Sequence, residues 1–73
     1  MNFISLYSHL GVIDFKEHET AEDALDMLKY GRDEGLILDI AVIDVKTGDM
    51  LYYNDFLGEK ECRRRMDEFL ISR

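Results

Sequence analysis

The sequence predicts an α+β domain of order ββαββα: a mostly antiparallel sheet with two helices on one face, in two layers. Three observations lead there. Two segments repeat apolar residues at helical spacing, four short runs are rich in Ile, Val, Leu and Tyr, and turn-forming residues join those runs in pairs. Packing both helical stripes against one side of the sheet closes a single core over residues 1–73, taken as one domain.

Phe3 to Tyr7 reads as the first strand and Val12 to Phe15 as the second, with His9-Leu10-Gly11 as the turn between them. Thr20 is placed to cap the first helix, and Asp23 stands three residues on, where a capping box usually carries Glu. Ala21, Ala24, Leu25 and Leu28 form its apolar stripe, with Met27 on the flank. Gly31 weakens the end of this helix, and Gly35 stops it, because glycine accepts the left-handed backbone found just past a helix. Leu36 to Val45 is apolar on both faces through its middle and reads as a central strand. Lys46-Thr47-Gly48-Asp49 turns the chain, and Met50 to Tyr53 returns as the fourth strand. Asn54 or Asp55 is expected to cap the second helix, whose stripe is Cys62, Met66, Phe69 and Leu70.

A chain of 73 residues buries a thin core and usually needs a staple. One cysteine excludes an internal disulfide, and His9 and His18 match no zinc spacing. A homodimer is therefore expected, with neither cofactor nor metal. No run approaches the length of apolar residues that spans a bilayer, and the first residues lack a basic, secretory-type start. With its free thiol the chain is expected in a reducing compartment, the cytoplasm, away from membranes.

A catalytic constellation is hard to assemble. Asp39 and Asp44 fall on opposite faces of a regular strand, so they do not make a carboxylate pair. His18 lies between Glu17 and Glu19, whose charge tends to raise its pKa, and all three are expected to be solvated. Cys62 sits on an apolar stripe, where a buried structural thiol is the ordinary reading. The segment Gly31-Arg32-Asp33-Glu34-Gly35 lacks the lysine and the hydroxyl residue of a phosphate loop. The expectation is a protein without enzymatic activity and without catalytic residues.

Charge is the least ordinary feature. The net charge is −7, and residues 1–59 hold thirteen acids against four bases, whereas residues 60–73 hold three against five. Such a body repels nucleic acid and anionic lipid and steers basic partners toward itself. Glu19, Glu22, Asp23, Asp26 and Asp33 gather on the outer side of the first helix, with only Lys29 interrupting that face between Glu19 and Tyr30. Neighbours on a helix face lie about 5–6 Å apart, close to the spacing of phosphates along a nucleic-acid strand. Asp44, Asp49 and Asp55 form a second group along the hairpin.

In size, acidity and rows of Asp and Glu over residues 14–59, the chain resembles the small acidic phage-encoded proteins that mimic DNA and block host DNA-binding or defence proteins. The resemblance implies a basic host DNA-binding protein as partner, with Glu19, Glu22, Asp23, Asp26, Asp44, Asp49 and Asp55 as the contact residues and no direct binding of nucleic acid. Arg63-Arg64-Arg65 departs from that pattern; three consecutive arginines fan around a helix and ordinarily pair with nearby acids such as Glu61, Asp67 and Glu68. Tyr30, Tyr52 and Tyr53 support a rival reading, an adaptor or regulatory subunit that binds through its sheet or its tyrosine-bearing edge, with the acids serving solubility.

Overall fold

The computed structural model describes residues 2–72. The fold is α+β with the order ββαββα: β1 (Phe3–His9), β2 (Val12–His18), α1 (Ala21–Asp33), β3 (Leu38–Asp44), β4 (Met50–Tyr53) and α2 (Glu59–Ser72). The four strands make one sheet of order β2-β1-β3-β4, antiparallel throughout.

Local chemistry accounts for the boundaries. Leu10 and Gly11, at φ 52° and 81°, form the two-residue turn of the first hairpin, so pairing runs outward from His9–Val12 and both strands extend further than propensity alone implies. Thr20 caps α1 as expected, its Oγ1 accepting from the Asp23 N–H at 3.1 Å. The helix ends in a Schellman motif: Leu36 N–H donates to Gly31 O at 2.8 Å, Gly35 N–H donates to Arg32 O at 3.0 Å, and Gly35 takes φ +73°. Gly31 has a second role, because a Cβ there would stand 2.6 Å from Cγ1 of Ile37, which occupies the space. α2 begins at Glu59, several residues past the expected caps. Asn54 Oδ1 instead accepts from the Phe56 N–H at 3.0 Å, and Asp55 takes φ +66°, so these residues build a turn rather than start the helix.

The expectation of two helices on one face is corrected by the packing, which makes three layers. Ile4, Leu6, Ala41 and Ile43 pack with Cys62 and Met66 of α2, while Phe3, Tyr7 and Val42 pack with Ala24 and Leu28 of α1. Successive residues of a strand point to opposite faces, so the helices cover opposite sides of the sheet. β1 and β3, the inner pair, supply most of the fully buried residues. A strand buried on both sides offers each helix its own apolar surface, and the thin core is split into two.

Alternation also fails within β3. The pairing with β1 slips between Ala41 and Asp39, passing over Ile40, which joins Ala41 on the α2 side. Asp39 is thereby turned toward α1. Asp44, opposite Phe3, lies on that side too, so the two carboxylates share a face instead of opposing each other, at opposite ends of the strand.

Candidate functional site

α1 presents three different surfaces, set by its 100° step. Ala24, Leu28 and Gly31 are buried against the sheet. Glu22, Asp23 and Asp26 are exposed, Glu22 and Asp26 one turn apart on the outside and Asp23 on the flank toward β2. The flank toward β4 carries Leu25, Lys29 and Arg32. Leu25, read as part of the buried stripe, is 37% exposed, and Met27 turns inward in its place, toward Ser5.

The seven predicted partner-binding acids do not form one row. Glu19, Glu22, Asp23 and Asp26 surround the start of α1. His18, Phe3 and Asp44 align across the sheet, so Asp44 and the exposed Asp49 lie at the same end of the molecule. The Asp44 carboxylate has a local task, accepting from the N–H groups of Lys46 at 2.9 Å and Thr47 at 3.3 Å. Asp55 stands apart: it accepts from the Tyr53 hydroxyl at 2.9 Å, and Tyr53 packs in the α2-side cluster.

The arginines among the described residues are taken up internally. Arg63 pairs with Glu59, Arg64 with Glu61 and Glu68, and Arg65 with Glu61, all one turn apart on α2. The hydrogen bonds from Arg64 and Arg65 hold the Glu61 carboxyl down at about 2. Arg32 lies beside Asp39 and Asp33, both at 3.5 Å. Glu22, Asp23 and Asp26, by contrast, enter no ion pair among the described residues.

Of the three tyrosines, Tyr30 is exposed, whereas Tyr52 and Tyr53 lie on opposite faces of the edge strand with their hydroxyls engaged. Tyr52 donates to Asp39, a bond that raises its pKa, and Asp39 is only 4% exposed. Tyr53 donates to Leu57 O as well as to Asp55, and desolvation, with the Asp55 bond, pushes its pKa up to about 12. A helix packs on each face of the sheet, and the residues left exposed on the strands include Val12, Leu38 and Leu51.

Two groups escaped the sequence. Asp39, one of two carboxylates in the run 36–45, is flanked by apolar residues on both sides, a pattern that signals a buried, partnered acid. His18 was expected in solvent, but it ends β2 half-buried, its Nε2 2.9 Å from Ser5 Oγ. Burial, then Lys16, lowers its pKa, and Asp23 only partly opposes them. Ser5 is wholly buried, so this pair ties β1 to β2 within the sheet, while the Ser5 hydroxyl also meets Met27 of α1 and is closed to solvent.

A pH dependence follows. With its folded pKa below the unfolded value, His18 contributes stability fully present above about pH 6.5 and lost as pH falls through the folded pKa. Thermal midpoints of the wild type should therefore drop between pH 7.5 and 5 relative to those of His18→Gln. Parallel curves would show that the Ser5–His18 pair is not coupled to folding.

Cys62 is buried, and burial pushes its thiol pKa up, as suits a structural residue. Among the described residues no group of three or more His, Cys, Asp or Glu is arranged to hold a metal ion, and no helix is long and apolar enough to cross a membrane. What the geometry defines is a three-layer ββαββα domain with an acidic start to α1 and a mixed cleft on its other flank. No protein-family model matches the chain, and no curated protein or solved structure is significantly similar to it.

Proposed function

We infer that this is a non-enzymatic binding protein that sets the carboxylates at the start of α1 into a basic, phosphate-binding surface of another protein, in the manner of a phage-type DNA mimic. The observation that carries the reading is the uneven use of charge. Arg32, Arg63, Arg64 and Arg65 are drawn into ion pairs within the fold, while Glu22, Asp23 and Asp26 are exposed with no ion pair among the described residues. Like charges one turn apart cost helix stability, so keeping Glu22 and Asp26 together with neither in an ion pair among the described residues suits a site that meets its cations in a partner.

Glu19 and the Asp44–Asp49 turn broaden the negative surface around the same end of the molecule; Asp55 is left out of it. The partner this surface fits is a basic nucleic-acid-binding protein of the cytoplasm, such as a host nucleoid or defence protein, whose cleft accepts carboxylates where it otherwise accepts phosphates. A homodimer belongs to the same reading, since pairing two chains would join two such surfaces and add buried area to a thin core.

The test is capture from bacterial lysate on the immobilised protein, washed at about 0.1 M and then about 0.5 M salt, where screening collapses from roughly 10 Å to a few Å. A basic DNA-binding protein released by the second wash, and displaced by added duplex DNA, is the expected result. A neutral partner that survives the second wash would replace mimicry with an adaptor working through the sheet edge and Tyr30.

A further inference from the structure

The flank of α1 opposite Asp23 faces the edge strand across a cleft of about 200 Å³, lined by Leu25, Leu28, Lys29, Arg32, Asp39 and Tyr52. Its chemistry differs from the rest of an acidic surface. Leu25, Leu28 and the Tyr52 ring make apolar walls. At the floor, the buried Asp39 carboxylate accepts from the Tyr52 hydroxyl and faces Arg32, whose Nη1 is 3.5 Å from Asp39 Oδ2. Lys29 stands one turn before Arg32 on the same flank, exposed and in no ion pair among the described residues.

Two features of this cleft suit an anion. Lys29 and Arg32 stand against Asp39 in the lining and Asp33 beside Arg32, so the cleft is close to neutral inside a molecule of charge −7, and Lys29 is left in no ion pair among the described residues. The Arg32 guanidinium is also only partly used. Both of its ion pairs, to Asp33 and Asp39, span 3.5 Å, long for charge-assisted hydrogen bonds, and 49% of the side chain remains exposed. A guanidinium carries five N–H donors in a planar fork, so donors remain for a carboxylate at the mouth while Asp39 holds the group in place.

We propose that this cleft binds a compact apolar monocarboxylate, its carboxylate on Arg32 and Lys29 and its body against Leu25, Leu28 and the Tyr52 ring. One lysine unpaired among the described residues and the open edge of one guanidinium suit a single carboxylate. The volume, below the range of about 300–1,000 Å³ for drug-sized ligands, selects a small one. A free aliphatic or aromatic acid and the carboxyl-terminal residue of a peptide both present this chemistry. The site lies on the flank of α1 away from Asp23, and Lys29, one turn after Asp26, borders the acidic surface.

The experiment is an amide-proton NMR titration of the full chain with hexanoate, phenylacetate, phenylacetamide, and an N-acetylated tripeptide ending in leucine, as the free acid and as the amide. The expected result is saturable shifts around Leu25, Leu28 and Tyr52, with an acid binding about tenfold more tightly than its amide. Saturation by hexanoate or phenylacetate identifies a small-molecule site; saturation by the tripeptide acid alone identifies a peptide terminus. Arg32→Gln risks leaving Asp39 short of a partner and unfolding the domain. The exposed Lys29→Gln avoids that and should weaken the acid several-fold with the amide unchanged. Equal binding of acid and amide, shifts that map elsewhere, or no saturable shift with any acid would overturn the proposal.

Discussion

Neutralising three side chains, Glu22→Gln, Asp23→Asn and Asp26→Asn together, should abolish capture of the basic partner and leave the domain folded. At about 1.5 kcal/mol for each close interfacial charge pair, three pairs account for roughly a thousandfold in affinity. Folding should change little, because two effects oppose each other. Removing the Glu22–Asp26 repulsion stabilises α1 by about 0.2–0.5 kcal/mol, while losing acids near the helix N-terminus costs a similar amount through the dipole. The Thr20 cap is untouched, since it receives the backbone N–H of Asp23. Asp55→Asn is the matched control: it removes a charge from the α2 side of the sheet and should leave capture intact. Binding by the triple variant at wild-type strength would reduce the α1 carboxylates to a solubility device. Loss of binding in Asp55→Asn as well would point to net charge rather than to a local surface.

The contrast between α1 and α2 gives that experiment its meaning. Both helices are rich in Asp and Glu, yet α2 carries its own cations at i+3 and i+4: Glu59 with Arg63, Glu61 with Arg64 and Arg65, and Glu68 with Arg64. Asp67, also expected as a partner, enters no ion pair among the described residues and Arg63 takes Glu59, whereas the pairs of Arg64 and Arg65 with Glu61 and Glu68 were legible in the sequence, because spacing sets which helical side chains meet. So was the order of elements: Thr20, Gly35 and Gly48 punctuate the chain through backbone geometry, which acts locally. The sidedness of the helices was not legible. Periodicity reports which residues are apolar but not which layer each one meets, and Ser5, polar yet fully buried, hides the two-sided burial of β1. The slip at Ile40 was equally silent, since every residue from Ile40 to Ile43 is apolar and any register looks alike in composition. That slip, which turns Asp39 toward Arg32 and Tyr52, creates the mixed cleft. The cleft could not have been assembled from spacing, because its six residues come from three elements.

Val42 and Ile43 are the adjacent pair through which the three-layer arrangement can be measured. Both are fully buried, Val42 beneath α1 and Ile43 beneath α2. In a two-layer domain one of two neighbouring strand residues faces solvent, and its truncation changes stability little. Here each truncation opens a cavity. Ile43→Ala should cost about 2–5 kcal/mol, and Val42→Ala about 1.5–3 kcal/mol for the smaller side chain. Against a total stability of about 5 kcal/mol, at the low end of the usual range for a domain this small, Ile43→Ala should leave much of the chain unfolded near body temperature, and Val42→Ala should lower the thermal midpoint by ten degrees or so. Chemical denaturation with guanidinium, followed by far-UV circular dichroism, reads both. The two helices should also respond separately: faster amide-proton exchange along α1 would report loosening first in Val42→Ala, whereas faster alkylation of Cys62, buried on α2, would report it first in Ile43→Ala. If Val42→Ala were as stable as the wild type, α1 would not be packed on the sheet through this residue, and the second core would be wrongly drawn.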